Sequence, residues 1–516
     1  MTEESRYWWR LAAAFPLHPL LWMLFPILAL WSQNTAETPV GEATSVLLRA
    51  ALIAVGTTTV FALALRSLRR GAVVAVVLLL PTMLYGYVFT DPDSRLGLVI
   101  WALVIVACLV IAIQLPQDVL HPLTSALNVV ALTLVLLNGV PAGLGAWDRH
   151  QALAQPLIAV EPSVDPRGSL PDIWYLVPDR YSREDTLAAY EGIDDSAFVA
   201  SLRDRDFQVF DRAATNYPMS MLSIAGSLNL RYLHDLDDLS GVDRALAARA
   251  LIRDHELGRL TTSAGYEYLH LGSWADFSAS SARAHQVLTS ESTFAFDIEA
   301  ARLTVAPALQ SILFGEVGTG TNPTQRRLQR SHGEHQVRVL RQLAAANPDH
   351  PQFVFAHLIL PHGPYVFDED GSVMDDSQFT ASNRWDGLRR QMAFTSDFLL
   401  DLIDVLQARD EPPVIVIQAD EGELPRGVFD TADLSWGGFT DDQHRMHNAI
   451  FSSVYLPGGR LSVAEDEPVT AVNVLRGAIE WALGVDLPRL DDISYAFRDE
   501  HLGDYRDVSE LAFSSP

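Results

Sequence analysis

The sequence contains no lysine and only one cysteine among its 516 residues. Without lysine, the chain has neither a P-loop lysine for nucleotide phosphates nor a lysine that forms a Schiff base. Cys108 lies in an apolar stretch, so an intrachain disulfide and a cysteine-based zinc site are both excluded. A thiol nucleophile is likewise excluded from the second part of the chain.

Acidic residues far outnumber basic ones in the second part of the chain. The net charge is −27; residues 149–516 carry 30 arginines against 56 acidic residues, whereas residues 1–148 carry 7 against 8. A surface this acidic repels the phosphates of nucleic acids and of anionic lipids. We therefore expect no nucleic-acid partner.

Long apolar runs fill the beginning of the chain. Five runs approach the ~20 residues needed to cross a ~30 Å hydrocarbon layer; they cover residues 15–31, 45–65, 72–89, 96–115 and 123–144. Residues 1–144 are therefore predicted to form a transmembrane domain of about five helices. A cleaved signal peptide is the alternative for the first run, which is short and contains three prolines.

The arginines between these runs predict the orientation. Arg6 and Arg10 precede the first run and Arg66, Arg69 and Arg70 follow the second, whereas loops 32–44 and 90–95 are mainly acidic. Basic loops face the cytoplasm. Five spans would then place the second part outside the cytoplasm, in a multi-pass protein of the plasma membrane. The spans hold almost no ionisable residues, which favours anchoring; a transporter is the alternative.

The rest of the chain divides into three segments. Residues 145–170 are rich in proline and read as a linker. Residues 171–485 alternate strand-like and helix-like patterns, which predicts a three-layer α/β domain with a mostly parallel sheet. Residues 486–516 form an acidic, aromatic-containing C-terminal tail with no motif.

Acidic residues follow two of the predicted strands. Asp179 ends the run Ile-Trp-Tyr-Leu-Val-Pro-Asp, and Asp420, Glu421 and Glu423 follow the run Val-Ile-Val-Ile-Gln-Ala. The carboxyl ends of parallel strands meet at one edge of a sheet, where α/β proteins bind ligands. Carboxylates this close repel one another, so a cation is expected among them. A solvated acidic turn is the alternative.

A serine lies where a helix is predicted to begin. In Asn216-Tyr-Pro-Met-Ser220, Asn216 suits a helix cap and a contact to substrate, and Pro218 suits the first turn. Ser220 would then lie among free backbone amides that favour an anion. The alternative is a serine that only caps the helix.

Three histidines are candidates for contacts in the site, and a fourth is expected to be structural. His362 follows a buried strand in Pro-His-Gly-Pro-Tyr and is either functional or structural. His357, inside the same strand, is interpreted as a core residue. His444 and His447 have metal-like spacing and are candidate substrate contacts; capping of a loop is the alternative.

Taken in order, these motifs resemble the alkaline phosphatase/sulfatase superfamily. The nearer likeness is to its membrane-anchored bacterial branch, which includes lipoteichoic-acid synthases and phosphoethanolamine transferases. The resemblance covers roughly residues 170–485. It implies that Asp179 and Asp420 bind a metal, and that Ser220 is a transiently phosphorylated nucleophile that also touches the metal. It also implies that His362 contacts the substrate or the leaving group.

The chain departs from that family directly after Asp420. The family usually has histidine there, whereas this chain has Glu421. As a metal ligand, Glu421 would favour Mn²⁺ or Mg²⁺, with Zn²⁺ or Ca²⁺ as alternatives. The sulfatase signal, Cys or Ser followed by x-Pro-x-Arg, is missing, because Ser220 precedes Met-Leu-Ser-Ile. Formylglycine-type sulfatase activity is therefore not expected.

Two functions follow from the resemblance. The first is a metal-dependent phosphoryl or phosphodiester transferase or hydrolase, held in the membrane, that acts on a lipid headgroup or envelope polymer. The second is a catalytically impaired relative that binds envelope glycan or a partner protein, an alternative motivated by Glu421.

Overall fold

The computed structural model describes residues 15–35, 38–89, 95–154, 170–239, 241–290, 295–309, 323–374, 384–424, 438–498 and 504–516. The chain divides into two compact units. The first comprises Met1–Gln151 and Thr293–Asn322, and the second comprises Ala152–Ser292 and Pro323–Pro516. Arg6 and Arg10, on which part of the predicted orientation depends, lie outside the described residues.

The described part of the first unit is helical. Its helices span His18–Gln33, Val40–Ala64, Leu68–Met83, Tyr85–Val88, Arg95–Gln114, Gln117–Leu153 and Ala295–Arg302. Within the described residues, three stretches are long and apolar enough to cross a membrane: Val40–Ala64, Leu96–Gln114 and Gln117–Leu153. The helices His18–Gln33 and Leu68–Met83 have 16 residues each, about 24 Å at ~1.5 Å per residue. The structure thus gives three candidate spans where the sequence predicts about five.

The last of these helices reaches further than the sequence predicts. Helix Gln117–Leu153 continues through the start of the predicted linker 145–170, and residues 155–169 of that linker lie outside the described residues. Pro122 and Pro141 lie inside the helix. Proline marks a break less reliably in apolar helices, because neighbouring groups can satisfy the carbonyls it frees.

A segment from the predicted α/β domain belongs to the first unit. Phe296 and Ala300 are buried in a cluster that includes Met23 and Ile27. The Gly86 amide donates a 2.9 Å hydrogen bond to the Leu303 carbonyl oxygen. Apolar burial and backbone pairing therefore tie residues 295–309 to the helices of this unit. The α/β unit is correspondingly built from two separate stretches of chain.

The second unit is organised around a mixed, mostly parallel sheet. Its seven strands run in the order β2-β8-β7-β1-β6-β4-β5. They are β1 (Ile173–Asp179), β2 (Gln208–Val209), β4 (Glu267–Leu271), β5 (Gln286–Val287), β6 (Gln352–Pro361), β7 (Val414–Gln418) and β8 (Ser452–Tyr455). Strands β7, β1, β6, β4 and β5 pair in parallel, and β8 is antiparallel to β7 and β2. Two small sheets pair β3 (Ala213–Ala214) with β9 (Val469–Thr470) and β10 (Tyr495–Phe497) with β11 (Tyr505–Asp507).

The central strands are covered on both faces. Every residue of β1, β6 and β7 is buried, as expected for parallel strands between two helical layers. The longer helices of this unit span Ser196–Arg203, Ser220–Leu228, Gly241–Arg253, Glu256–Ser263, Pro323–Ala345, Arg384–Gln407, Asp441–Asn448 and Ala471–Leu483; shorter turns lie at Glu184–Thr186, Leu187–Glu191, His234–Leu236 and Asp276–Ser278. The predicted fold class, a helical membrane part followed by a mostly parallel α/β domain, is confirmed.

The C-terminal segment is part of the second unit. It contributes β10, β11 and the helix Ser509–Phe513. Phe513 packs with Ala214, and the Tyr217 ring lies 5.8 Å from that of Tyr495. The acidic tail predicted over residues 486–516 therefore contributes aromatic side chains to the core of the α/β unit.

Candidate functional site

Two aspartates meet where β1 and β7 end. Leu176 of β1 pairs with Ile417 of β7. Asp179 and Asp420 each lie three residues beyond these partners, so the parallel register brings them to the same level of the sheet. Both are buried. The predicted convergence of strand-end acids is therefore present in the fold.

His357 joins the two aspartates from the other side of β1. Ala356 of β6 pairs with Leu176, which places His357 one residue further along. Its Nε2 lies 3.8 Å from Asp179 Oδ2 and 3.6 Å from Asp420 Oδ2. These distances are too long for hydrogen bonds. His357 is buried, as predicted for a core residue, but its Nε2 has no hydrogen-bond partner among the described residues, so the expectation of a fully satisfied side chain is not met.

The three side chains form a set of donors that fits a divalent cation. Asp179, His357 and Asp420 each offer one ligand atom, and these atoms lie within 4.8 Å of one another. Asp179 Oδ1 and Asp420 Oδ2 are also buried without hydrogen-bond partners in the described part of the chain. Buried carboxylates need compensation by hydrogen bonds, an opposite charge or a metal. Two carboxylates and one imidazole suit a divalent cation.

The two aspartates respond in opposite ways to their surroundings. Burial raises the pKa of Asp179 well above its usual value, and the nearby charge of Asp420 raises it further. Burial also acts to raise the pKa of Asp420, but His357, the Ser220 hydroxyl and the Arg180 amide outweigh it and lower the pKa. This is the pattern of two close carboxylates that cannot both ionise without a compensating cation.

Ser220 is placed beside this cluster by the start of a helix. Helix Ser220–Leu228 follows Met219 in extended conformation, with no side chain capping it, so the reading of Ser220 as a simple cap is wrong. The hydroxyl of half-buried Ser220 lies near the Asp420 carboxylate and acts to lower its pKa. Its backbone amide acts to lower the pKa of the nearby Glu421 carboxylate. The hydroxyl thus lies next to a candidate metal ligand.

Glu421 has a different partner from the one predicted. Its Oε1 accepts a 3.1 Å hydrogen bond from Arg180 Nε, and it lies outside the three-residue cluster. Glu423 Oε1 lies 3.9 Å from Arg180 Nη1, and its Oε2 accepts a 3.0 Å hydrogen bond from the Tyr365 hydroxyl. Burial raises the pKa of Glu421 to about 7, against the opposing effect of Arg180. Glu421, which the sequence suggests as a metal ligand, is thus held by an ion pair with Arg180.

Arg180 is a functional candidate that the sequence analysis missed. Its backbone has φ +62°, and its amide donates a 3.2 Å hydrogen bond to Asp420 Oδ1. The left-handed conformation is uncommon for a residue with a side chain. It lets one residue contact Asp420 through its backbone and Glu421 through its guanidinium. An arginine directly after a strand-end aspartate was the available signal.

His362 lies just past β6, near the cluster. Its half-buried ring lies 6.2 Å from that of Trp274, and its carbonyl oxygen accepts hydrogen bonds from Gln329 at 2.7 Å and Gln391 at 3.0 Å. Burial, then the charge of Arg180, lowers the pKa of His362 to about 3. The imidazole is neutral at pH 7, so a role as general acid would need a rise in its pKa when substrate binds.

Asn216 is committed to structural bonds. Its side chain donates to the Ile493 carbonyl oxygen at 3.1 Å and accepts from the Val472 amide at 3.0 Å. Asn216 neither caps the helix that begins at Ser220 nor reaches the solvent. Both ends of its amide bind backbone groups, and its predicted contact with substrate stays a prediction.

His444 and His447 lie in a helix instead of capping a loop. Thr440 caps this helix, Asp441–Asn448. The Nε2 of His447 donates a 3.0 Å hydrogen bond to the Pro218 carbonyl oxygen and lies 3.9 Å from Glu421 Oε2. The buried His444 packs against the Phe439 ring at 5.5 Å. Neither belongs to the candidate metal cluster of the described residues, and their predicted contact with substrate stays a prediction.

No family model matches the chain, and no curated protein matches it. Several solved structures are similar. The integral membrane protein lipooligosaccharide phosphoethanolamine transferase A from Neisseria meningitidis is 14% identical with a TM-score of 0.43; the match covers 90% of this chain and 96% of that chain.

Soluble domains are also similar. The C-terminal periplasmic domain of EptC from Escherichia coli, in complex with zinc, is 14% identical with a TM-score of 0.43, covering 69% of this chain and 98% of that chain. A putative sulfatase from Bacteroides thetaiotaomicron is 14% identical with a TM-score of 0.37, covering 63% and 73%. These proteins belong to the superfamily that the motif order resembles. At such identities the likeness assigns no activity to this chain.

Proposed function

We propose that this chain is a membrane-anchored, metal-dependent phosphoryl or phosphodiester transferase or hydrolase that uses Ser220 as its nucleophile. The observation that carries the proposal is the convergence of Asp179, His357 and Asp420, with unpartnered buried atoms, beside the Ser220 hydroxyl. A cation site next to an alcohol at the end of a buried sheet suits chemistry on a phosphoryl group.

Asp179, His357 and Asp420 would hold the cation. When bound, it would lower the pKa of the Ser220 hydroxyl and neutralise charge on the phosphoryl oxygens. Ser220 Oγ attacks phosphorus in line as its proton passes to solvent; the bond to the leaving oxygen breaks, that oxygen takes up a proton from solvent to leave as an alcohol, and a phosphoserine ester forms. Water or an acceptor alcohol then displaces the ester and regenerates the serine. Neutral His362 hydrogen-bonds to the substrate near the leaving group.

The substrate proposed is a lipid headgroup or another phosphodiester of the cell envelope. Three apolar helices of the first unit support anchoring in a membrane. The distribution of arginine between the apolar runs supports an α/β unit on the outer side of the plasma membrane. The substrate would then reach Ser220 from the outer leaflet.

The direct test measures release of nitrophenol from bis(4-nitrophenyl) phosphate, and of headgroup from labelled lipid, by the full chain in lipid nanodiscs. Ser220→Ala and Asp179→Ala should each lower the rate at least ~10²-fold. The half-buried Ser201, whose hydroxyl donates to the Ala197 carbonyl oxygen of its own helix, provides the matched control: Ser201→Ala should retain the parent rate.

Intact mass identifies the nucleophile. After exposure to a phosphodiester donor, the parent chain should gain a phosphoryl group that Ser220→Ala does not gain. Equal rates in Ser220→Ala and the parent would refute the assignment. Purified protein without stoichiometric metal and without phosphoserine would instead support the impaired binding protein.

A further inference from the structure

The hydrogen bonds around His357 determine which of its nitrogens can bind a metal. A neutral imidazole has one nitrogen that donates and one that accepts. His357 Nδ1 lies 2.8 Å from the Ser278 hydroxyl, and Nε2 faces Asp179 and Asp420. If Nδ1 carries the proton and donates to Ser278, Nε2 presents a lone pair to a cation between the carboxylates. The Ser278 hydroxyl therefore determines which nitrogen of His357 carries the proton.

A chain of hydrogen bonds fixes the position of Ser278. The Gly258 amide donates to His255 Nδ1 at 2.8 Å, so His255 Nε2 is the protonated nitrogen and donates to the Tyr268 hydroxyl at 2.8 Å. Tyr268 in turn donates to His270 Nδ1 at 2.8 Å. His270 Nε2 donates to the Ser278 carbonyl oxygen at 2.8 Å. All four hydrogen bonds therefore point from Gly258 toward Ser278, and each neutral side chain donates one proton only.

The turn that carries Ser278 is closely packed. Ser278, Tyr268 and His270 have no exposed surface. A Cβ at Gly272 would collide with the Ser278 carbonyl oxygen, so glycine is required there for the approach. The Ser278 hydroxyl lies 3.0 Å from that of Ser273, which can accept its proton. The Ala275 carbonyl oxygen, which can only accept, lies 3.4 Å from Ser278 Oγ. When the Ser278 hydroxyl donates to either of these groups, its oxygen accepts from His357 Nδ1–H.

The backbone of His357 is fixed from the opposite side. Gln336 Nε2 donates to the His357 carbonyl oxygen at 2.7 Å, and Gln336 Oε1 accepts from the Ile359 amide at 3.0 Å. Both the backbone and the ring of His357 are thus restrained, although the ring makes no hydrogen bond through Nε2 among the described residues. Such restraint is typical of a histidine that binds metal.

We infer that Ser278 is a positioning residue of the metal centre: it holds His357 in the Nδ1–H tautomer, with the Nε2 lone pair directed between Asp179 and Asp420. The inference rests on the metal site of the proposed function. It also deepens it, because His357 supplies the nitrogen donor that the sequence lacks after Asp420. One nitrogen and two oxygen donors favour Zn²⁺ or Mn²⁺ over Mg²⁺ and Ca²⁺.

The experiment compares the affinity of Zn²⁺ and Mn²⁺ for the full chain and for Ser278→Ala, by competition with a chromogenic chelator. Loss of a group that orients a metal ligand should weaken binding about 10–100-fold. Ser278→Thr keeps the hydroxyl and should recover most of the affinity. Ser453 is a buried serine whose hydroxyl has no partner among the described residues; the control Ser453→Ala should bind as the parent does.

The shift in melting temperature on adding metal distinguishes a loss of metal affinity from misfolding of the variant. The rise in melting temperature on adding Zn²⁺ should be smaller for Ser278→Ala than for the parent, beyond any difference between the metal-free proteins. Equal affinities for Ser278→Ala and the parent would overturn the inference while leaving the proposed function intact. A parent that binds metal and shows the Ser278 effect but transfers no phosphoryl group would support the inference and refute the proposed function. A parent that binds no metal would overturn both.

Discussion

Two neighbouring carboxylates at the end of β7 are buried to the same degree but have different partners. Asp420 accepts two backbone hydrogen bonds through Oδ1, from Arg180 at 3.2 Å and Glu421 at 2.9 Å, while Oδ2 faces His357. Glu421 is held by the Arg180 guanidinium. One acidic run therefore forms two environments: a cluster suited to a metal and an ion pair that is already complete. Charge alone does not identify a metal ligand.

The largest expected effect separates these two carboxylates by their affinity for metal. Asp420→Asn should weaken Zn²⁺ or Mn²⁺ binding by at least ~10³-fold, since losing a direct ligand should exceed the 10–100-fold loss expected for an orienting group. Glu421→Gln should change the affinity less than ~10-fold. Chelator competition measures both. Equal losses in the two variants would make Glu421 a ligand and remove the distinction.

The next effect is on the free energy of unfolding, through the buried ion pair that Arg180 makes with Glu421. Arg180→Met leaves Glu421 and Glu423 buried without their cation, which should lower the free energy of unfolding by about 3–5 kcal/mol. Denaturant unfolding of the α/β unit within the full chain measures this change. Adding Glu421→Gln should restore part of the loss. The exposed pair of Arg341 and Asp401, 3.6 Å apart, gives the control: Arg341→Met should cost less than ~1 kcal/mol.

Asp195 is a buried carboxylate whose hydrogen-bond partner is a hydroxyl group, without an arginine beside it among the described residues. The Tyr181 hydroxyl donates to it at 2.8 Å, and burial raises its pKa to about 7 despite this bond. The folded state thus holds the proton more tightly than the unfolded state, so the contribution of Asp195 to stability falls as pH rises from about 4 to about 7. Asp195→Asn should be more stable than the parent by up to ~4 kcal/mol at pH 8.

This advantage should vanish near pH 4, where Asp195 is protonated in both states. Thermal unfolding across this range provides the measurement. A constant difference between Asp195→Asn and the parent would show that the carboxyl group does not titrate between folded and unfolded states as its burial implies.

The smallest effect concerns which metal is preferred. His357→Asp replaces the nitrogen donor by oxygen and should shift the ratio of Zn²⁺ to Mg²⁺ affinity toward Mg²⁺ by about tenfold or more. His444→Gln, outside the cluster, should leave the ratio unchanged. Measuring both metals by the same chelator competition cancels differences in protein concentration. An unchanged ratio in His357→Asp would exclude His357 as a ligand.

The sequence predicts the aspartates of the site well because strand ends in a parallel sheet share one edge. The run before Asp420 contains four consecutive β-branched residues, and β7 spans Val414–Gln418 as that run predicts. Asp179 follows from the same reasoning. Placing these two aspartates requires only that the strands be parallel and that the end of each apolar run be recognised, and the end of a run is a local property of the sequence.

The partners of these aspartates depend on register and backbone conformation, which are not local. His357 lies inside a ten-residue strand, and only the pairing of Ala356 with Leu176 shows that it reaches the level of the strand ends. The ion pair of Glu421 depends on the left-handed backbone of Arg180. Neither feature is visible in the spacing of residues.

The division of the chain has a consequence for limited proteolysis. Because Thr293–Asn322 belongs to the first unit, the polypeptide passes between the units at three points along its length. After cleavage within residues 155–169, the C-terminal fragment still carries Thr293–Asn322, whose residues Phe296 and Ala300 are buried against the helices of the N-terminal fragment. Noncovalent packing would therefore hold the two fragments together. A protease that cuts there should therefore nick the molecule without releasing a free α/β fragment, and two bands would separate only under denaturing conditions.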